Sequence, residues 1–354
     1  MAKELTRAGL TVVGLERGSP PDDAGDFARI SSHDELANRR GRMVDLSQGT
    51  VTVRNAASET ARPMRWPGAF TWPEGVGGAG NYWATACYRL APWDFRLRSN
   101  TIHRYGAAAM PEGCTSQDWP LTFEELEPYY DRFERDIGVS GQAGNLGGKL
   151  VQGGNPFEGP RSRDYPNPPA PSTDQQKIFE KAARSLGYHP YPAPGATMTR
   201  AYTNPEGVSL GPCVYCGHCS GYLCEMNAKA TPVATVLPTA LKSGRFDLRT
   251  NAMVTRIDLD STGGGPPASP MSTLGGQEVE QPADIVILAG FTFANVRMLL
   301  ISRIGEPYDP RHRPGPRRPQ LHLAQPGAGR DAVLRSRPGL QHLHGLGIAR
   351  HADE

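Results

Sequence analysis

The chain has 354 residues, and its 38 Lys and Arg nearly balance 36 Asp and Glu. That balance excludes the basic footprint of a nucleic-acid binder; the longest apolar runs fall short of the ~18 residues that span a bilayer, and the polar start Met1-Ala-Lys-Glu-Leu-Thr-Arg lacks the apolar segment of a secretion signal. The length allows two domains, and 41 Gly with 33 Pro suit a loop-rich enzyme better than a helical bundle.

Residues 2–8 predict the end of a helix, stopped by Gly9 where a left-handed turn is least strained in glycine. Residues 10–15, Leu-Thr-Val-Val-Gly-Leu, predict a short apolar strand, closed by Glu16. Helix, strand and terminal acid form the second half of a dinucleotide-binding βαβ unit, where the acid accepts hydrogen bonds from ribose hydroxyls. A plain surface acid after a strand is the alternative. The first strand and its G-x-G-x-x-G turn are missing, since the chain starts inside the helix.

Residues 72–95 interleave glycines and aromatics: Trp72, Gly75, Gly77, Gly78, Gly80, Asn81, Tyr82, Trp83, Tyr88 and Trp93. Bare glycine backbone lets a ligand approach closely, successive N–H groups can make an anion nest, and the flat rings can wall an aromatic cofactor. The competing reading is a glycine loop over an aromatic core.

Residues 118–138 predict an amphipathic helix. Thr122 and Glu125 make a capping box, and Leu126, Tyr129, Tyr130, Phe133 and Ile137 form an apolar stripe. Residues 141–172 read as irregular, and 174–186 as a second amphipathic helix with Ile178, Phe179, Ala182 and Leu186 inward. Residues 248–257 predict a strand, 284–289 a buried strand, and 292–301 a helix after the Ala289-Gly290 turn.

Four of the six cysteines crowd into residues 213–224, as Cys213, Cys216, Cys219 and Cys224; Cys87 and Cys114 are isolated. The spacing x2, x2, x4 approximates a ferredoxin run, C-x2-C-x2-C-x3-C. A tight loop of this kind aims its thiolates at one point, which favours an iron–sulfur cluster. Zinc is the main rival, although its knuckles are usually further apart; free thiols or disulfides come third. His218 inside the run is a possible further ligand or an exposed loop residue.

In this order, Glu16, Gly77-Gly78-Ala79-Gly80-Asn81-Tyr82-Trp83, Cys213–Cys224 with Ala228-Lys229-Ala230-Thr231-Pro232, and Ala289-Gly290 through Ser302-Arg303-Ile304-Gly305 resemble the glucose–methanol–choline (GMC) oxidoreductases. The likeness covers residues 1 to about 308 and is greatest to the flavoprotein subunits of membrane-bound gluconate, sorbose and fructose dehydrogenases. It implies an α/β fold: a discontinuous Rossmann-like FAD-binding domain, 1–118 plus 206–308, around a partial α+β substrate domain, 119–205. It implies FAD contacts from Glu16, Gly77, Gly78, Asn81, Trp83, Val254, Ala289 and Gly290. It implies an iron–sulfur cluster at Cys213, Cys216, Cys219 and Cys224; the spacing favours a three-iron one held by Cys213, Cys219 and Cys224 with Cys216 as the spare. The substrate would be a sugar, sugar acid or alcohol, with a cytochrome c and small chaperone-like subunits as partners, peripherally held on the periplasmic side of the bacterial inner membrane. The family's signature reads Ser-Gly-Ile-Gly where this chain has Arg303. The family's catalytic His lies in a C-terminal region with no equivalent here. Residues 309–354, rich in Arg, His and Pro without Lys, Tyr, Trp, Phe or Cys, read as an aberrant, frame-shifted or disordered tail, and 264–273 as an interruption in an expected hairpin. On this reading the chain is an inactive fragment; a non-catalytic remnant and a structural zinc module are the alternatives.

Overall fold

A computed structural model describes residues 1–20, 59–62, 75–111, 114, 116–217, 219–259 and 276–305, with the backbone pairing of 27–28, 52–53, 63, 268–273 and 348–349. Trp72, His218 and nearly all of the 309–354 tail fall outside these residues. The elements in chain order are α1 (Ala2–Arg7), β1 (Val12–Leu15), α2 (Leu97–Tyr105), α3 (Phe123–Ile137), α4 (Asp174–Ser185), α5 (Val236–Lys242), β2 (Phe246–Arg249), β3 (Ala252–Val254), β4 (Ala268–Thr273), β5 (Glu278–Pro282) and α6 (Thr292–Ile301). The fold is mixed α/β. It divides into two compact units, Met1–Tyr82 with Leu237–Leu323 and Trp83–Val236 with Ala324–Glu354. Residues 83–118 and 206–236, which the sequence groups with the FAD domain, therefore pack in the second unit. No helix among the described residues is long and apolar enough to cross a membrane.

In the first unit α1 turns at Gly9 (φ 88°) into β1, which pairs in parallel with β2 from Val12↔Phe246 to Leu15↔Arg249. Gly14 is required here: a Cβ would meet the Phe246 ring at 2.8 Å. The strand expected over 248–257 is two strands. Asn251 takes a left-handed φ of 54°, a conformation its short polar side chain tolerates. The chain then turns so that Asn251 N–H donates to the Gly18 carbonyl and Ala252 N–H to the Glu16 carbonyl. β3 thus lies against the segment that follows β1.

Residues 268–273, read as an interruption, are instead the central strand of an antiparallel meander. β4 pairs with β3 (Ala252↔Thr273 to Val254↔Met271) and with β5 (Ala268↔Pro282 to Ser272↔Glu278). Pro270 is tolerated because it lies beyond the β3 pairing, where a strand neighbour is present on one side only. The buried strand expected at 284–289 is corrected too. These residues are in no strand, and Ile285 is 77% exposed. Its apolar run resembles a sheet interior, but β1 and β2 form a two-stranded sheet that it does not join.

The second unit closes around Ile137, Val139, Ala196, Met198, Leu210 and Ala230, with Trp83, Cys87, Tyr165 and Tyr202 packed against them. The capping box of α3 forms as expected: Thr122 Oγ1 accepts from Glu125 N–H at 3.3 Å, and the Glu125 carboxylate accepts from Thr122 N–H at 2.7 Å. Of the expected stripe, Ile137 is buried and Leu126 and Tyr130 are half-buried. Tyr129 and Phe133 are 66% and 52% exposed, while Asp131, Glu134 and Asp136 are buried. Charge explains the buried acids. The Glu134 carboxylate accepts from Arg89 Nε (2.8 Å) and Nη2 (2.9 Å), and from Arg161 Nη1 (3.4 Å) and Nη2 (2.5 Å). Arg89 Nη1 also donates to Glu127 at 2.9 Å, and Arg163 pairs with Asp131. The Arg161 guanidinium lies 3.7 Å from the Tyr165 ring centroid. These cations arrive from outside the helix, so its periodicity gives no sign of them. α4 likewise has its Thr173–Gln176 capping box, yet Ile178 and Leu186 are exposed and Ala183 is the residue it buries.

Candidate functional site

The glycine-rich turn folds as a run of left-handed residues, Gly75 (φ 109°), Gly77 (φ 94°) and Gly78 (φ 49°), leading into a 3-10 turn at Gly78–Asn81. A Cβ on Gly77 would strike the Asn81 amide. Asn81 is buried and its Nδ2 donates to the Val76 carbonyl at 2.8 Å, which closes the turn. The Val76 N–H donates to Ser19 O at 3.1 Å, so the turn sits beside the chain just beyond Glu16. The Glu16 carboxylate accepts the Gly18 N–H at 2.8 Å, which fixes its orientation at the strand end. Glu16, Gly77, Gly78, Asn81 and the β3 strand bearing Val254 are thereby brought into one region of the first unit.

Part of the anion nest expected in this turn is already spent on the turn itself. The N–H groups of Val76, Gly78 and Gly80 are committed to the carbonyls of Ser19, Gly75 and Gly77. What the turn offers is side-chain-free surface, with open space where a Gly78 Cβ would stand. Such a cradle fits a flat cofactor approaching the backbone.

Ala289 and Gly290 form the turn into α6. Phe291 is left-handed (φ 78°), and Asn295 bridges the turn, its Oδ1 accepting from Gly290 N–H at 2.9 Å and its Nδ2 donating to Leu288 O at 3.2 Å. The sequence reading missed Asn295, which lies within the helix pattern. Trp83 belongs to the second unit. Its indole N–H donates to the Ala230 carbonyl at 2.7 Å and its ring packs on the core.

The cysteine loop is built by left-handed turns at Tyr215 (φ 55°), Gly217 (φ 84°), Gly221 (φ 86°) and Asn227 (φ 51°). Its two ends are fastened to one core segment: Cys213 N–H donates to Met198 O, Met198 N–H to Ala228 O, and Ala230 N–H to Ala196 O. Two sulfurs accept main-chain hydrogen bonds, Cys213 from Tyr215 N–H (3.2 Å) and Cys224 from Ala228 N–H (3.4 Å). Burial pushes the Cys213 and Cys219 thiols up, and in each the other cysteines of the loop add to the rise. All four are free thiols. Among the described residues no group of three or more His, Cys, Asp or Glu is arranged to hold a metal ion. Thiols are the donor type that soft metals and clusters take. Lys229, part of the segment that carries the family resemblance, is buried beside the loop. Desolvation lowers its ammonium to about 8, with the Cys219 and Cys224 thiols acting against that shift.

A cavity in the second unit, lined by Arg89, Glu158, Tyr165 and Tyr191 among others, has about 30 Å³, room for water rather than a sugar.

The chain is 45% identical over 317 residues to the gluconate 2-dehydrogenase flavoprotein of Pantoea cypripedii, covering 88% of this chain and 51% of that protein. It is 31% identical over 306 residues to the 2-methyl-1,2-propanediol dehydrogenase of Mycolicibacterium austroafricanum, covering 84% and 48%. Over 129 residues it is 30% identical to the fructose dehydrogenase large subunit of Gluconobacter japonicus, covering 36% and 20%. No family model matches. The chain spans about half the length of the first two of these relatives.

Proposed function

The chain belongs to the GMC oxidoreductases, and from that premise we propose that it is the flavoprotein portion of a dehydrogenase acting on a CH–OH carbon of a sugar, sugar acid or polyol. The observation that carries the reading is the 45% identity to a gluconate 2-dehydrogenase flavoprotein. The hydrogen-bonded neighbourhood of Glu16 and the Gly75–Asn81 turn supports it. FAD, when bound, supplies the hydride acceptor. Glu16 would hold the ribose hydroxyls, with the Gly18 N–H keeping its carboxylate in place. Gly77, Gly78 and the buried Asn81 would present bare backbone to the cofactor, the β3 backbone at Val254 would meet the adenine, and the Ala289–Gly290 turn would lie near the pyrophosphate.

The four thiols would hold an iron–sulfur cluster that relays electrons to a cytochrome c or quinone, on the periplasmic face of a bacterial inner membrane and in company with further subunits. The N–H donors at Cys213 and Cys224 would favour the anionic sulfurs such a relay needs.

Titration of the purified chain with FAD, followed by flavin fluorescence, tests the first part. Glu16→Ala should weaken binding by about tenfold or more, the loss of one or two charge-assisted hydrogen bonds. Equal affinity of Glu16→Ala and wild type would remove Glu16 from the site. Anaerobic reconstitution should give broad thiolate-to-iron absorption with acid-labile sulfide; stoichiometric zinc without iron would replace the relay by a structural zinc module.

A further inference from the structure

Lys229 is a large charged side chain only 1% exposed. Its Nζ donates to the Cys219 carbonyl at 2.6 Å and to the Tyr222 carbonyl at 2.9 Å. The main chain around it is fixed: Lys229 bridges Thr197, and its neighbours Ala228 and Ala230 bond to Met198 and Ala196 in the core. An immovable backbone therefore carries an ammonium that reaches back into the loop that precedes it. The carbonyls it gathers lie on either side of the left-handed Gly221 turn and on the stretch between the third and fourth cysteines.

We propose that Lys229 is the positioning residue of the cysteine loop, a cationic clamp that folds residues 219–224 back over the loop's own exit and so turns Cys219 and Cys224 toward Cys213 and Cys216. Both ends of the loop are held by core hydrogen bonds, but those bonds do not fix its tip. The ammonium does, through two acceptors three residues apart. Its charge also offsets the negative charge that thiolates bring when they bind metal, since buried anions are stable only beside a counter-charge or donor. The metal half of this inference rests on the reading of the loop as a metal site; the clamp itself does not.

The test uses the full chain, wild type, Lys229→Met and Lys229→Arg, with hydrogen exchange of the loop amides read separately from global unfolding. Loss of two charge-assisted hydrogen bonds should speed exchange in 219–224 by at least about tenfold in Lys229→Met, with iron uptake from ferrous iron and sulfide falling in parallel. Lys229→Arg, which keeps charge and donors, should recover most of the protection. Wild-type exchange in Lys229→Met overturns the clamp, and so does equal loss in both variants, which would make the site one of shape. A measurement on wild type alone guards against a variant that fails to fold: amine acetylation should be at least about tenfold slower at Lys229 than at the exposed Lys149 and Lys177. Equal labelling overturns the proposal. Should Lys229→Met lose protection while wild type takes up no iron, the clamp stands and the cluster reading falls.

Discussion

Arg303 sits in left-handed conformation (φ 56°) directly after α6, donating its N–H to Leu300 O, while Ile304 N–H reaches Leu299 O. This is the turn that ends a helix, and it explains why the family signature has glycine there. A side chain at positive φ is strained, so Arg303→Gly should stabilise the chain by about 0.5–1 kcal/mol after the greater unfolded-state freedom of glycine is subtracted. Urea denaturation reads the difference, and a destabilised variant would show that the arginine side chain outweighs the strain. Cys87 offers a second check. Burial, reinforced by the nearby Glu134 charge, raises its thiol from 9.0 to about 12. Its folded-state pKa lies above the unfolded one, so its contribution to stability is intact below pH 9 and is lost as pH climbs toward 12. Native protein at pH 8 should leave Cys87 unmodified by iodoacetamide while denatured protein reacts; prompt native alkylation would contradict its burial. That Glu16 follows a strand and that four thiols share one loop was legible, because strand-end acids and thiol spacing are local patterns. Lys229 was not, since a lone lysine in a loop is ordinarily solvated and only the fold shows which carbonyls surround it.

Among elements, α3 states most clearly what periodicity can and cannot tell. Its limits and its capping box follow from nearby residues. Its buried acids do not, because the arginines that hold them are at positions 89, 161 and 163. The Glu134 and Arg161 side chains are 5% and 0% exposed, so Glu134→Gln leaves two guanidiniums short of their counter-charge. The expected loss is about 3–5 kcal/mol, the usual effect of removing one partner from a buried pair. Chemical denaturation measures it, and a loss under about 1 kcal/mol would mean that the network is as weak as a surface one. The meander at 252–282 teaches the complement: residues 268–273 lie in a stretch read as an interruption, yet they form β4, and one-sided pairing accommodates Pro270.

At the scale of the whole molecule, the sequence disclosed an α/β chain with a glycine turn near an acid and a thiol loop elsewhere. It did not disclose how the chain divides, because the boundary at Tyr82 and Trp83 falls inside a single motif. The dry, charged side of α3 also bears on the order of events as the second unit forms. Glu134 is joined to arginines 45 and 27 residues away along the chain, so both loops must close before water can leave the carboxylate, and desolvation with one arginine in place is unfavourable. The helix should therefore nucleate early from its cap and remain hydrated until late. In stopped-flow kinetics, truncating Arg89 or Arg161 should chiefly accelerate unfolding, with φ-values of about 0–0.3, while Thr122→Ala should slow refolding. A high φ-value at either arginine would place ion pairing in the nucleus. As expected here, the network acts as a latch: it adds little to the speed of folding and much to the lifetime of the folded unit.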